Sequence, residues 1–219
     1  MEFQEIIGKR QSIRKYKKGG IPKEHLFEIV RAAGLAPSGK NMQNWHFVVI
    51  QNDALKQKIG QVILDKNESI CLEMDKTDKT RGDAFRKFVR NFTLFFMDAP
   101  VLTIVLTTEY LPTGYYEYKL IGADQQTLND LVSRRNPGIQ GLGAAMENFT
   151  LKAIDLGYGS CILTSANYAA AGIEELLKKE VGFDKEDYFM AAMIVLGIPE
   201  EGQPSPKKKP IEQILTYIE

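Results

Sequence analysis

Four nearly continuous apolar runs constrain the fold more than any other feature of the sequence. They occupy residues 45–51, 101–108, 160–164 and 189–198. Each run is bounded by turn residues and is short enough to be a strand. A strand with one solvated face would alternate polar and apolar side chains, and these runs do not alternate. They therefore predict a sheet that helices cover on both faces.

Amphipathic helical patterns lie between the apolar runs. In IPKEHLFEIVRAAG, Pro22 marks a helix start, and the apolar residues that follow recur on one helical face. Further helices are predicted near residues 3–7, 139–156 and 169–180. The whole chain, 1–219, is predicted to form a single domain with insertion-like capping segments near 65–97 and 110–137.

A stripe of phenylalanines lies in the first of these capping segments. Phe85, Phe88, Phe92 and Phe95 recur at helical spacing. Such stripes are more often part of a core than an aromatic cofactor box. We therefore interpret this one as core.

GLAPSGKN, residues 34–41, comes within one residue of a phosphate-binding P-loop. The P-loop motif requires Ser or Thr after the lysine, and this chain has Asn41. The motif also requires a strand before the loop and a helix after it. Here a predicted helix precedes the loop and a predicted strand follows it. The order of elements excludes an ATPase or GTPase site.

Charge and cysteine content exclude other classes of protein. The 28 Lys and Arg residues balance 28 Asp and Glu residues, so no net field attracts nucleic acid or an acidic membrane. The first ten residues, MEFQEIIGKR, lack the apolar region of a signal peptide. Two cysteines and two histidines, far apart in sequence, form neither a disulfide framework nor a metal-ligand pattern. We expect a cytoplasmic protein without a metal.

The sequence shows no pairing of a nucleophile with a base. Cys161 lies inside an apolar run, where a cysteine is usually an inert small hydrophobe. Three other features are not explained by packing. In RQSIRKY, the side chains of Arg10, Ser12 and Arg14 alternate along an extended segment and so share one side, which suits an anion or an electron-rich heterocycle. The loop APSGKNMQNW presents backbone donors, and SPKKKP holds three lysines between prolines.

Together these motifs resemble the nitroreductase family of FMN-dependent oxidoreductases. The pattern R-x-S-x-R-x-Y is followed by A-P-S-x-x-N-x-Q-x-W and, late in the chain, by a basic segment ending in proline. GLGAAMENFTLKAIDLGYGSCIL and MIVLGIPEEGQP resemble the family's central helix with its next strand and its last core strand. The resemblance implies an α+β fold with a mixed, mainly antiparallel sheet of four or five strands flanked by helices. It also implies an intertwined homodimer, in which the C-terminal segment adds an edge strand to the partner subunit.

The resemblance also implies a site for non-covalent FMN at the subunit interface. Arg10 and Ser12, with the backbone of Gln11, would contact its phosphate and ribityl chain, and Arg14 would reach the pyrimidine end of the ring. Thr164 and Ser165 would lie at the N5 edge. The remaining implied contacts come from the partner's loop and from the basic segment: Pro37, Ser38, Gly39 and Asn41, and Lys207, Lys208 and Lys209.

The implied reaction is a ping-pong cycle. NADH or NADPH reduces the flavin, and a nitroaromatic, quinone or similar small molecule then takes two electrons. No catalytic residue is assigned beyond the flavin. Two alternatives stay open. One is a flavin-holding or redox-regulatory protein without turnover. The other is an FMN enzyme of the same fold with a different reaction, such as flavin fragmentation.

The chain departs from the family pattern at two places. Asn44 stands where the family usually has proline after the glutamine, and we expect it to loosen the loop that enters the strand. The basic segment contains lysines where the family more often has an arginine, and lysine binds phosphate as a point charge.

Overall fold

The core of the protein is a four-stranded antiparallel sheet. The computed structural model describes all residues, 1–219. Its strands lie in the order β1-β2-β4-β3. They are β1 (Trp45–Ile50), β2 (Val101–Thr108), β3 (Gly159–Leu163) and β4 (Tyr188–Gly197). Each of the four strands predicted from sequence is confirmed to within one residue at either end.

Eight α-helices accompany the sheet. They are α1 (Phe3–Lys9), α2 (Lys23–Gly34), α3 (Asp53–Asp75), α4 (Lys79–Phe88), α5 (Tyr115–Leu120), α6 (Gln125–Arg134), α7 (Pro137–Asp155) and α8 (Ala170–Val181). The helices predicted near 3–7, 22–33, 139–156 and 169–180 correspond to α1, α2, α7 and α8. The α+β fold class is confirmed. None of the helices is both long enough and apolar enough to cross a membrane.

Two separate hydrophobic clusters cover the two faces of the sheet. One includes Ile59 of α3 and Ile173 of α8, and the other includes Ile29 of α2 and Phe149 of α7. Strand β2 serves both, because Leu102 and its alternate neighbours belong to the first cluster while Val101 and Val105 belong to the second. The prediction of helices on both faces, made from the lack of alternation, is confirmed.

The capping segments predicted from weak patterning contain regular helices. Residues 65–97 include the second half of α3, all of α4 and the turns that follow it. Arg86 of α4 ties these two helices together, with its guanidinium 2.8 Å from Glu68 and 2.9 Å from Asp75. Residues 110–137 contain α5 and α6, and Asp124 and Asn136 cap the N-termini of α6 and α7 through their side chains.

Only part of the phenylalanine stripe belongs to the core: Phe85 and Phe95 pack against the first hydrophobic cluster. After α4 the backbone makes a π-helical turn at Val89–Thr93 and a 3-10 turn at Leu94–Asp98. Val89 and Phe96 are fully buried, whereas Phe88 is 43% exposed and Phe92 is 57% exposed. The core interpretation is therefore wrong for Phe88 and Phe92. This segment is apolar on two faces, and packing against the sheet uses the face that carries Val89.

Candidate functional site

The segment that contains Arg10, Ser12 and Arg14 is extended, as predicted. Ser12 forms a parallel bridge with Ser160 of β3, and the N–H of Ile13 donates to the Ser160 carbonyl at 2.9 Å. Further along, Tyr16 forms an antiparallel bridge with Pro199. Ile13 is buried beneath the segment, while Arg14 is exposed. The pairing fixes this segment against the edge strand of the sheet.

The segment that follows β4 holds the backbone of Arg14 from its other side. The N–H groups of Arg14 and Lys15 both donate to the side-chain oxygen of Gln203, at 2.9 and 3.0 Å. The side-chain amide of Gln203 donates in return to the Lys15 carbonyl at 2.8 Å. The position of Arg14 is therefore set by two elements that are far apart in sequence.

Arg14 lies at the wall of a pocket of about 460 Å³. We call it the Arg14 pocket. Its other lining residues are Phe88, Phe92, Cys161, Ile162, Leu163, Thr164 and Ser165. The rings of Phe88 and Phe92 stack with centroids 5.5 Å apart. The pocket thus combines exposed apolar surface with one cation, and these are the properties that a flat, electron-rich ring system requires.

Hydroxyl groups mark the end of the pocket where β3 stops. The hydroxyl of Ser165 lies 2.9 Å from that of Thr93, which is fully buried. Thr164 is exposed, and its carbonyl accepts the N–H of Asn167 at 3.0 Å. This hydrogen-bonded turn positions Thr164 and Ser165 beside the pocket.

Cys161 is the one ionisable thiol in the pocket wall, and it is only 3% exposed. Burial raises the pKa of this thiol, against the opposing effect of the nearby Arg14 guanidinium. The thiol is therefore protonated at neutral pH. Its environment agrees with the interpretation of Cys161 as an inert residue rather than a nucleophile.

Arg10 lies next to the central helix. Its guanidinium Nε is 3.9 Å from a carboxylate oxygen of Glu147 in α7, and its side chain is 29% exposed. The contact is long and partly solvated, so it leaves guanidinium donors available for another anion.

The loop after α2 has the element order predicted for it. α2 ends at Gly34 and β1 begins at Trp45, so a helix precedes the loop and a strand follows. Lys40, Asn41 and Gln43 all have positive φ, between 45° and 54°. The hydroxyl of Ser38 accepts the N–H of Gln43 at 3.0 Å. A P-loop is excluded by this geometry.

Within one chain this loop does not reach Arg10. A Cβ built on Gly141 of α7 would lie 3.1 Å from the Pro37 carbonyl, whereas Arg10 meets α7 at Glu147. Six residues of helix separate these positions, a rise of about 9 Å. Gly39 instead packs against Tyr110, where an added Cβ would lie 2.5 Å from the ring hydroxyl.

The lysines of the basic segment also stay apart from Arg10. Lys207, Lys208 and Lys209 are exposed, and no hydrogen bond or ion pair joins them to other residues. Of the predicted site residues, the chain brings Arg14, Thr164 and Ser165 into one pocket, with Arg10, Gln11 and Ser12 on the adjoining segment.

Asn44 anchors the loop and does not loosen it. Its side-chain amide donates to the Thr107 hydroxyl at 2.9 Å, and that hydroxyl donates to the Asn44 carbonyl at 2.7 Å. Asn44 is 3% exposed. The expectation of a looser loop is wrong because the asparagine replaces the rigidity of proline with a hydrogen-bonded link to β2.

Sequence reasoning missed Phe88 and Phe92 as residues of the candidate site. The signal that could have identified them is an apolar helix with two faces. Val89 and Phe96 already supply the face that packs against the core. The second aromatic face therefore needs another contact.

Comparison with known proteins assigns the class of this fold. The chain is 55% identical to a BluB-like flavoprotein from Clostridium difficile 630, over 100% of both chains, with a TM-score of 0.96. A nitroreductase with bound FMN from Bacteroides fragilis NCTC 9343 shares the fold at 23% identity and a TM-score of 0.67, over 100% of both chains. The model of the nitroreductase family matches residues 7–198. The chain belongs to the nitroreductase family.

Curated relatives match a smaller part of the chain. Iodotyrosine deiodinase 1 of Rattus norvegicus is 33% identical over 105 residues, which are 48% of this chain and 36% of that protein. The matched region therefore spans about a third of the length of this relative.

Proposed function

We propose that this protein is an FMN-dependent oxidoreductase that takes reducing equivalents from NADH or NADPH and passes them to a small oxidised acceptor. Nitroaromatics, quinones and similar molecules are the expected acceptors. When bound, FMN supplies the redox chemistry by accepting a hydride and giving up two electrons. The observation that carries the proposal is the Arg14 pocket, which combines one cation with exposed apolar side chains in a chain of the nitroreductase family.

The residues of the Arg14 pocket fit a flavin ring. Phe88, Phe92 and Ile162 expose apolar side chains there, and a planar ring that covered them would remove that surface from water. The guanidinium of Arg14 offers a positive charge at one side of the same pocket. A cation there stabilises negative charge on the ring edge, and so favours the reduced form.

Arg10 and Ser12 would hold the phosphate end of FMN, together with the backbone of Gln11. They lie on the same extended segment as Arg14, and the alternation of the segment spaces them along it. A guanidinium with free donors suits a terminal phosphate dianion.

A second copy of the chain would complete the phosphate site. The C-terminal segment exposes apolar side chains that contact no core: Ile211, Ile214, Leu215, Tyr217 and Ile218. Exposed apolar surface of this kind favours burial against another subunit. In a homodimer this segment would bring Lys207, Lys208 and Lys209 to the site. The partner's loop would bring Pro37, Ser38, Gly39 and Asn41.

The protein's own residues bind and orient in this proposal and do not transfer protons. No basic side chain lines the Arg14 pocket apart from Arg14, and the Cys161 thiol is held protonated by burial. A backbone N–H in the turn at Thr164 and Ser165 would donate to the ring at the end of β3. Such a donor orients the ring without changing its own protonation state.

A different reaction in the same family is the second candidate. The 55% identity over the full length is to a BluB-like flavoprotein, and the curated match is to iodotyrosine deiodinases. These relatives favour a flavin enzyme whose acceptor is not a nitroaromatic. A flavin carrier without turnover is the remaining alternative.

One experiment separates these candidates. The purified protein is heated, the released flavin is identified by chromatography, and the holoprotein is then mixed with NADH or NADPH without oxygen. FMN release and loss of the oxidised-flavin absorbance, restored by a quinone or nitroaromatic, would support the proposal. Bleaching that none of these acceptors reverses would favour the second candidate. No bleaching with either donor would favour the carrier, and release of FAD would contradict the cofactor assignment.

A further inference from the structure

The backbone around Arg14 passes from one pairing partner to another. Ser12 forms a parallel bridge with Ser160 of β3, and further on Tyr16 forms an antiparallel bridge with Pro199, just beyond β4. Residues 13–15 lie between the two bridges and are not part of a regular strand. We call them the crossing segment, and Arg14 is its central residue.

The start of the crossing segment is held by contacts within the same part of the fold. The N–H of Ile13 donates to the Ser160 carbonyl at 2.9 Å, and the Tyr16 hydroxyl donates to the Ile13 carbonyl at 2.6 Å. The next two N–H groups, those of Arg14 and Lys15, have no backbone acceptor. Their partner must come from a side chain or from water.

The side chain of Gln203 is that partner. Its oxygen accepts both N–H groups, at 2.9 Å from Arg14 and at 3.0 Å from Lys15. Two successive N–H groups converge on one atom where the backbone turns, and not where it is regularly extended. The Gln203 oxygen therefore stabilises a turn at Arg14 inside an otherwise extended segment.

The orientation of the Gln203 amide is determined by four partners. Its nitrogen donates to the Lys15 carbonyl at 2.8 Å and to the Glu200 carbonyl at 3.0 Å, while its oxygen faces the two N–H groups. A flipped amide would place donors against donors and acceptors against acceptors. The side chain is thus held in the orientation that supports the turn.

This turn determines the direction from which the Arg14 side chain enters its pocket. The side chain lines the Arg14 pocket and is exposed, and its guanidinium forms no hydrogen bond or ion pair. No contact of its own therefore holds the guanidinium. The backbone from which the side chain extends is what limits where the charge can lie.

We propose that Gln203 is a positioning residue for the flavin site. By holding the turn at Arg14, it keeps the guanidinium near the ring edge on which negative charge develops during reduction. Gln203 itself does not line the Arg14 pocket, so it acts through Arg14. This role rests on the proposed function, which supplies the flavin.

The reduction potential of the bound flavin distinguishes positioning from a structural role alone. The potential depends on the ratio of the affinities for reduced and oxidised FMN, so a general loosening of the site would weaken both forms and leave it unchanged. Gln203→Met keeps the length of the side chain and removes its four hydrogen bonds. We expect it to lower the potential, as Arg14→Gln does, but by a smaller amount. A wild-type potential in Gln203→Met would overturn the proposal.

A double variant tests whether Gln203 acts through Arg14. Gln203→Met should lower the potential of the wild type and have no further effect in Arg14→Gln, because the group that it positions is then absent. An equal effect in both backgrounds would contradict the proposal.

Glu201→Gln is the matched control in the same segment. It removes an ion pair with Lys17 at 3.2 Å, between side chains that are both more than half exposed. Such a pair contributes little, so the potential should stay at the wild-type value. A shift as large as that of Gln203→Met would show that any change in this segment moves the potential, and would overturn the role of Gln203.

Amide hydrogen exchange tests the turn itself on the purified protein. The amides of Arg14 and Lys15 should exchange about tenfold faster in Gln203→Met. They should stay protected in Gln203→Glu, which retains an acceptor for both N–H groups and loses only the donors. Equal protection in the wild type and in Gln203→Met would show that Gln203 does not hold the turn.

The two proposals can fail separately. Potentials are measured by dye equilibration, which requires bound FMN but neither NADH nor NADPH. A lowered potential in Gln203→Met of a protein that neither nucleotide reduces would support the role of Gln203 and contradict the proposed function. An unchanged potential in a protein that they do reduce would contradict the role of Gln203 alone. A protein that binds no FMN would contradict both.

Discussion

Arg14 is the residue whose proposed role differs most from simple binding. It is the only cation in a pocket with aromatic walls, and Gln203 and the bridge at Ser12 hold its backbone from two sides. A positive charge at this position acts on the reduced form of a flavin more than on the oxidised form, because the negative charge develops on reduction.

Replacement of Arg14 by Gln should therefore lower the reduction potential of the bound flavin and slow its reduction by about tenfold. Much of the FMN should stay bound, since the proposed phosphate contacts of Arg10 and Ser12 are unchanged in this variant. Arg14→Lys retains the charge and should have a smaller effect. Potentials are measured by dye equilibration and rates by stopped flow. Loss of FMN from Arg14→Gln with an unchanged potential in the remaining fraction would place Arg14 in the phosphate site instead.

At the scale of elements, the turn after α4 separates a core face from a site face. Phe96 is fully buried in the core, and Phe92, four residues earlier, is 57% exposed in the wall of the Arg14 pocket. We expect Phe96→Ala to reduce the free energy of unfolding by about 3–5 kcal/mol. Phe92→Ala should reduce it by about 1 kcal/mol or less and should weaken FMN binding. Urea unfolding of the apoprotein and FMN titration measure the two effects. Equal destabilisation by both variants would show that Phe92 is a core residue and not part of the site.

The α3–α4 pair carries a dependence of stability on pH. Hydrogen bonds from Arg86 hold the pKa of Glu68 and the pKa of Asp75 below their usual values. These carboxylates bind protons less readily in the folded state than in the unfolded state. Their contribution to the free energy of unfolding is therefore fully present at a pH above their pKa values in the unfolded chain. It is lost as the pH falls through the lower, folded values.

The melting temperature should consequently fall more steeply below about pH 5 in the wild type than in Arg86→Met. Arg81→Met is the matched control on the same helix. The Arg81 side chain is 81% exposed and lies 3.9 Å from Asp78, so this variant should keep the wild-type profile. Identical pH profiles for wild type and Arg86→Met would show that the Arg86 pairs contribute nothing to stability.

At the scale of the whole molecule, a single chain assembles only part of the proposed site. Arg10 lies beside Glu147, whereas the loop with Asn41 packs near Gly141. The lysines of the basic segment are exposed and form no hydrogen bond or ion pair with Arg10 or the loop. A two-fold interface that joins the loop of one chain to Arg10 of the other would complete the site.

Two damaged chains should then complement each other. In a heterodimer of Arg10→Ala with Asn41→Ala, one site would carry both changes and the other neither. Co-expression with different tags, isolation of the mixed dimer and FMN titration should give one site of wild-type affinity per dimer. Two equally weakened sites would mean that the loop and Arg10 serve the flavin of the same chain.

The sequence alone determined the four strands, the helices α1, α2, α7 and α8, and the family. Strands that lack alternation and helices with apolar faces are local patterns, and they predicted the sheet and its covering on both sides. The motifs around Arg10 and Ser38, the late basic segment, and the stretches GLGAAMENFTLKAIDLGYGSCIL and MIVLGIPEEGQP indicated the family because they occur together in the family's order. The order of helix, loop and strand also excluded the P-loop without reference to tertiary structure.

Tertiary structure decided which residues share a wall. Phe88 and Phe92 fit a core pattern, and they are exposed because Val89 and Phe96 already fill the space against the sheet. From the sequence, Asn44 in place of proline was expected to loosen the loop. Its hydrogen bond to Thr107 could not be foreseen, because Thr107 lies in a strand 63 residues further along the chain. Local periodicity shows which side chains are apolar. Which of two apolar faces becomes buried, and which residues pair across the sheet, depends on how distant parts of the chain pack together.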